Sequence, residues 1–331
     1  MSLSNLGRSL AMPVPAGKPR RLRISNSVSR TAMTWSRIER LVREGFGHGR
    51  DEDYVPWIRI TRSLSSPVSH LTAAHTPVHA RGIHLLSNLE DAAVRIAAWL
   101  GAQEIREQFP LFPWPGQHPM HGLDPDRDRT LGPAPALADI AREAGVELRR
   151  YVGSRVPYVA TTDLVLRIGD HPNDRLVFWS CKPQQAIDCP RDGARVAEVL
   201  DLERRYAAAI GCKHVVFTGD EVAPRLLSNL IWLEPPRSHL LTRDGNARRE
   251  FAAYFNEQDD DISIERRIEL ASELARIPRC DAHADFRTAA WLGLIDIDLT
   301  RPVLMSRPVV RGRAQTKGAL REQLVGGALC Q

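Results

Sequence analysis

The sequence predicts an α/β protein, a mixed β-sheet flanked by helices, followed by a small and mainly helical domain. Three observations predict it. Helical and strand periodicities alternate from Gly82 to Thr218. Within that stretch two apolar runs flank a turn-forming segment and read as a hairpin. After about Ala223 the pattern turns helical. A chain of 331 residues is about twice the usual domain size, so two cores fit.

In chain order, residues 1–80 read as a basic, partly irregular extension, with one helix over Ala32–Glu44 and little periodicity after it. Ser87 and Glu90 have capping-box spacing, and Leu89, Ala93, Ile96, Ala97 and Leu100 form one helical face that Gly101 ends. Gln103–Leu111 reads as a strand, Pro113–Pro135 as an exposed excursion, and Ala136–Ala144 as a short helix. Tyr158–Ile168 and Leu176–Lys182 are strands joined by the turn Gly169–Asp174. Asp192–Ile210 is a helix ended by Gly211, and His214–Thr218 a buried strand. Ala247–Phe255, Ile262–Ile277 and Ala282–Leu292 are helices. Gly293–Leu299 alternates like a strand, with Val303–Met305 as its partner. Three helices and a terminal hairpin predict a winged-helix unit.

Composition excludes several classes. Hydrophobic content of 43% and charged content of 26% are those of an ordinary globular protein. No apolar run reaches membrane-spanning length, and the first 30 residues lack a secretory apolar core. Five cysteines without a CxxC pair argue against a disulfide framework or a zinc site and fit a reducing cytoplasm. The net charge of +5 is concentrated at Lys18–Arg23 and across Arg301–Arg321, where phosphate binding and a solvated tail are equally open readings.

The hairpin carries the chemistry. Its turn falls near residues 171–173, so Asp163 and Lys182 face each other to within one residue of register. A carboxylate beside an ammonium at a sheet edge suits phosphodiester hydrolysis. Mg²⁺ held by hard oxygen ligands lowers the pKa of water and draws charge from phosphoryl oxygens, and a lysine offsets charge in the transition state. Glu90, on the first helix of this region, is the candidate second carboxylate, with Glu203 another. Glu203 sits among Val196, Val199, Leu200, Ala207 and Ile210 at helical spacing. Each residue also has a plainer role: Glu90 as a capping-box partner, Asp163 as a turn cap, Lys182 as a solvated strand end, Glu203 in an intrahelical pair.

Residues 81–222 resemble the catalytic domain of the TnsA family, the endonuclease subunit of bacterial heteromeric transposons. The resemblance rests on Arg81–Glu90, Ile105–Leu111, Ala138–Gly145, Thr161–Val165, Ser180–Pro183 and Leu202–Tyr206. It implies a restriction-endonuclease-like fold over 81–222, and residues 247–306 resemble that family's C-terminal winged-helix domain; the chain is accordingly divided into that fold, a C-terminal winged-helix domain over 223–306 and, from its charge, a basic tail over 307–331. The resemblance implies Glu90, Asp163 and Lys182 as the catalytic triad, with Mg²⁺, or Mn²⁺ in its place, on Glu90, Asp163 and the Cys181 carbonyl. Gln108, Ser180 and Glu203 support them. Ser180 stands where the nuclease superfamily often has an acid or Gln. The implied task is nicking double-stranded DNA at the 5′ ends of a transposon in the bacterial cytoplasm. The implied partners are a TnsB-like transposase and a TnsC-like AAA+ regulator. A free-standing restriction or repair nuclease, a catalytically silent DNA-binding assembly factor and a winged-helix transcription factor are the alternatives.

Overall fold

A computed structural model describes residues 32–60, 70–72, 77–170, 173–242 and 244–326. Helix α1 (Trp35–Arg43) comes first, then strands β1 (His70–Thr72) and β2 (Ile83–Leu85), α2 (Asn88–Leu100) and β3 (Ala102–Leu111). Two short helices follow, α3 (Pro125–Asp128) and α4 (Leu137–Glu143), then β4 (Ala160–Ile168), β5 (Arg175–Cys181), α5 (Gln184–Ile187), α6 (Gly193–Ala209) and β6 (Lys213–Phe217). The remainder is helical: α7 (Pro224–Leu233), α8 (Arg237–Thr242), α9 (Gly245–Glu257), α10 (Ile264–Leu274), α11 (Arg279–Leu292) and α12 (Arg313–Leu324).

The sheet is four-stranded and mixed, in the order β3-β4-β5-β6. β3, β4 and β5 are antiparallel neighbours, and β6 joins β5 in parallel after the α6 crossover. Both faces are covered, which is why the strands read as nearly continuous apolar runs. Leu164, Leu166, Val177 and Trp179 pack with α2, while Val165, Leu176 and Phe178 pack with Leu137 of α4 and Leu202 and Tyr206 of α6. α2 starts where expected, because the Ser87 side chain accepts from Glu90 N, and it stops at Gly101, whose φ of +95° is left-handed.

Three regions differ from the sequence reading. The segment before Arg81 is built onto the sheet rather than merely preceding it. Trp57 N donates to Gln108 O at 3.2 Å, Tyr54 Oη donates to Glu107 O at 3.0 Å, and Arg50 pairs with the buried Glu104. These contacts cover β3, an edge strand that would otherwise present an open row of backbone groups. In the C-terminal part, α7 and α8 were not anticipated, and the expected hairpin over 293–306 does not form. Ile295, Ile297 and Leu299 are buried, but Leu299 O and Arg301 O accept from Asn229 Nδ2 instead of from a partner strand. The alternation thus reflects packing against helices, and α9–α11 lack the wing. Finally, part of the basic tail is the helix α12, with Arg313 buried against α11 through a 2.9 Å bond to Trp291 O. Among the described residues no helix is long and apolar enough to cross a membrane.

Candidate active site

Asp163 lies near the start of β4, and Lys182 directly follows β5, its N–H extending the parallel ladder to Phe217 O at 3.0 Å. The hairpin register pairs Leu164 with Trp179, which places Asp163 opposite Ser180, not Lys182. Lys182 stands one diagonal step further on the same face, within reach of a long side chain. Its Nζ donates to Asp163 Oδ2 at 2.6 Å and to Cys181 O at 3.2 Å, and Cys181 N donates to the same carboxylate oxygen at 2.7 Å. Among the described residues Asp163 Oδ1 accepts no hydrogen bond. Burial raises the Asp163 carboxyl against the pull of Lys182, with the Glu203 charge adding to the rise. Burial also opposes the Lys182 ammonium, but Asp163 and Glu203 outweigh it and hold its pKa above the ordinary lysine value.

Glu90 approaches from the other layer. It sits in the first turn of α2, 4% exposed, with Leu86 N donating to Oε2 at 2.9 Å and Ser87 Oγ to Oε1 at 3.1 Å. The capping role and a site role are therefore not exclusive. Burial and the Asp163 charge push its carboxyl up to about 7, despite these hydrogen bonds. Gln108 joins the two layers: its Nε2 donates to Glu90 Oε2 at 3.1 Å, and its Oε1 accepts from Thr161 Oγ1 at 3.3 Å. The backbone there is left-handed, with φ +48°, unusual for a residue inside a strand. The Arg81 guanidinium braces this stretch by gripping buried Glu107 with two bonds, at 2.8 and 2.7 Å.

Ser180 and Glu203 form a third group with a residue that sequence reasoning missed, His214 on β6. Ser180 Oγ makes a short hydrogen bond to Glu203 Oε2 and lies 2.7 Å from His214 Nε2. A serine hydroxyl has one proton, so if Oγ donates to the carboxylate, His214 Nε2–H is the donor to Oγ. The chain His214–Ser180–Glu203 thus fixes a carboxylate of α6 beside Asp163. His214 showed no motif in the sequence; it stood only as the head of a buried strand.

Asp163, Lys182, Gln108 and Glu203 line one cavity of about 280 Å³, with Arg149 and Arg195 also on its wall. Glu90 is not part of that wall and stands behind Gln108. Among the described residues no three His, Cys, Asp or Glu side chains form a metal cage. Mg²⁺ needs no such cage, since one or two carboxylates with a carbonyl and waters suffice. The residues present fit it: two buried carboxyl groups both raised by burial, one unengaged oxygen on Asp163, and only hard donors.

The chain is similar to the Tn7 transposition protein TnsA of Escherichia coli, 27% identical over 241 residues that make up 72% of this chain and 77% of that one. No protein-family model matches the chain. The likeness runs through most of both proteins, and in this chain it spans the mixed sheet that carries Asp163 and Lys182.

Proposed function

We propose that the protein is the endonuclease subunit of a heteromeric transposase, nicking double-stranded DNA at the 5′ ends of its transposon by divalent-metal-dependent hydrolysis. The observation that carries the reading is the Asp163–Lys182 pair at 2.6 Å, with Glu90 close enough for its pKa to respond to both charges. Similarity to a relative whose name is that of a transposition protein supplies the setting.

Glu90, Asp163 and the Cys181 carbonyl would hold Mg²⁺ or Mn²⁺, which lowers the pKa of a bound water and draws charge from the phosphoryl oxygens. Lys182, charged and tethered to Asp163, places its ammonium where negative charge grows on the phosphate. Gln108 fixes the Glu90 carboxylate, and Ser180 with His214 fixes Glu203. The partners are a TnsB-like transposase, which cuts the other strand, and a TnsC-like AAA+ regulator, all in the bacterial cytoplasm.

The test is a nicking assay on transposon-end DNA with the transposase present and Mg²⁺ or Mn²⁺ added. Asp163→Ala and Lys182→Ala should each lower nicking by at least about 100-fold while leaving the fold intact. Undiminished nicking in both variants refutes the assigned site. Efficient cutting by the purified protein alone would instead favour a free-standing nuclease. Full transposition without any 5′ nick would favour a silent assembly factor.

A further inference from the structure

The cavity beside Asp163 and Lys182 has a wall that phosphodiester hydrolysis does not require. Leu148, Val199 and Leu202 line it together with the two polar residues. A duplex backbone is polar and charged and gains nothing from an apolar wall. Arg149 and Arg195 line the same space. The Arg149 side chain is exposed and has no ion pair among the described residues, whereas Arg195 pairs with Glu198 at 2.5 Å on the surface. Tyr158 also lines the space, is 37% exposed, and stacks at a tilt on Tyr151 with 4.9 Å between ring centroids. The cavity, about 280 Å³, lies at the lower edge of small-ligand sites, which run from roughly 300 Å³. It has room for one nucleotide unit and not for a base pair.

We infer that this cavity is a subsite for a single unpaired nucleotide of the substrate strand, next to the phosphate that is cut. The base lies against Leu148, Leu202 and Tyr158, and its phosphate meets Arg149. Apolar and aromatic surface accepts any base by its face, and a guanidinium accepts the phosphate, the combination by which proteins hold an unstacked nucleotide. The strand would leave its duplex by one nucleotide at the nick, and local unpairing would help to place the scissile phosphate at Asp163 and Lys182. The inference rests on the nuclease reading for its purpose, but it can be tested separately.

The experiment is saturation-transfer NMR of the full chain with deoxynucleoside 5′-monophosphates, with inorganic phosphate as competitor. The expected result is saturation of base protons, loss of signal in Arg149→Ala, and roughly tenfold weaker binding in Leu148→Trp, which fills the cavity. Leu148 is half-buried, so unfolding could mimic its effect; Arg149 is exposed, and its variant keeps the fold. No binding overturns the inference. Binding through the phosphate alone, with base protons unsaturated and phosphate competing equally well, also overturns it. Nicking with partners in a protein that binds no nucleotide would sink the subsite alone. Nucleotide binding in a protein that never nicks would sink the nuclease reading and leave the subsite standing.

Discussion

Gln108 shows how one residue decides a site. Ile105 packs in the core shared with α2, while Phe109 and Leu111 pack on the opposite face with α4 and α6. Residues four and six apart should share a face in a regular strand. The left-handed backbone at Gln108 breaks the alternation and lets its side chain bridge Glu90 and Thr161. Such a conformation costs of order 1–3 kcal/mol and tends to persist at working sites. Ser180 is the second decisive residue. In Ser180→Ala the buried Glu203 carboxylate loses a donor, so stability should fall by about 1–3 kcal/mol, read as a lower midpoint in urea with an unchanged slope. His79 gives a pH prediction away from the site. Its Nε2 accepts from Ile105 N at 2.8 Å, and burial lowers its pKa from 6.5 to about 4. A depressed folded-state pKa means that the unfolded chain takes up the proton first. The stability from neutral His79 is therefore complete above pH 6.5 and is lost as pH falls towards 4. His79→Gln should show a smaller drop in urea midpoint between pH 7 and 4.5 than the unaltered protein. An equal drop would remove His79 as a cause.

Among the elements, α12 shows how a basic segment becomes structure. Its last carbonyls, which no helix satisfies internally, accept from the sheet. Lys213 Nζ reaches Gln323 O at 3.2 Å and Trp179 Nε1 reaches Leu324 O at 3.0 Å. Just beyond the helix, Arg175 reaches Gly326 O at 2.7 Å. At its other end Arg313 and Lys317 stand over the Trp99 ring, at 5.5 and 5.6 Å. Arg313 also lies against Gly293, the left-handed residue that ends α11 at φ +83°. An added methyl there would be strained and would strike the guanidinium. Gly293→Ala should destabilise by more than about 1 kcal/mol, measured by thermal or urea unfolding. A neutral substitution would show that α12 is not held at this point.

Across the whole molecule, the sheet is closed by segments far away in sequence. Residues 50–57 cover β3 at one side, and α12 covers Trp99 and Trp179 from the other end of the chain. A chain ending at Gly312 should therefore expose both indoles. The expected outcome is a red-shifted tryptophan emission and a lower Tm, even though Asp163 and Lys182 are more than a hundred residues from the cut. An unchanged spectrum and Tm would mean that α12 rests on a sheet complete without it.

Much was legible because it is local. The Ser87–Glu90 cap and Gly101 and Gly211 as stops follow from short-range backbone preferences, and α2, β3, α4, β4, β5, α6 and β6 lie close to their expected bounds, whereas the short helices α3 and α5 were not anticipated. Asp163 and Lys182 came together on paper because a hairpin converts sequence spacing into distance, although the register placed Ser180 opposite Asp163. Alternation at 293–299 misled, because period-two burial can be satisfied by packing between helices without a ladder. His214, the face switch at Gln108 and the docking of α12 left no local trace. Each depends on groups brought together from distant parts of the chain, and a sequence pattern carries no term for a hydrogen bond between side chains that only the packed sheet makes neighbours.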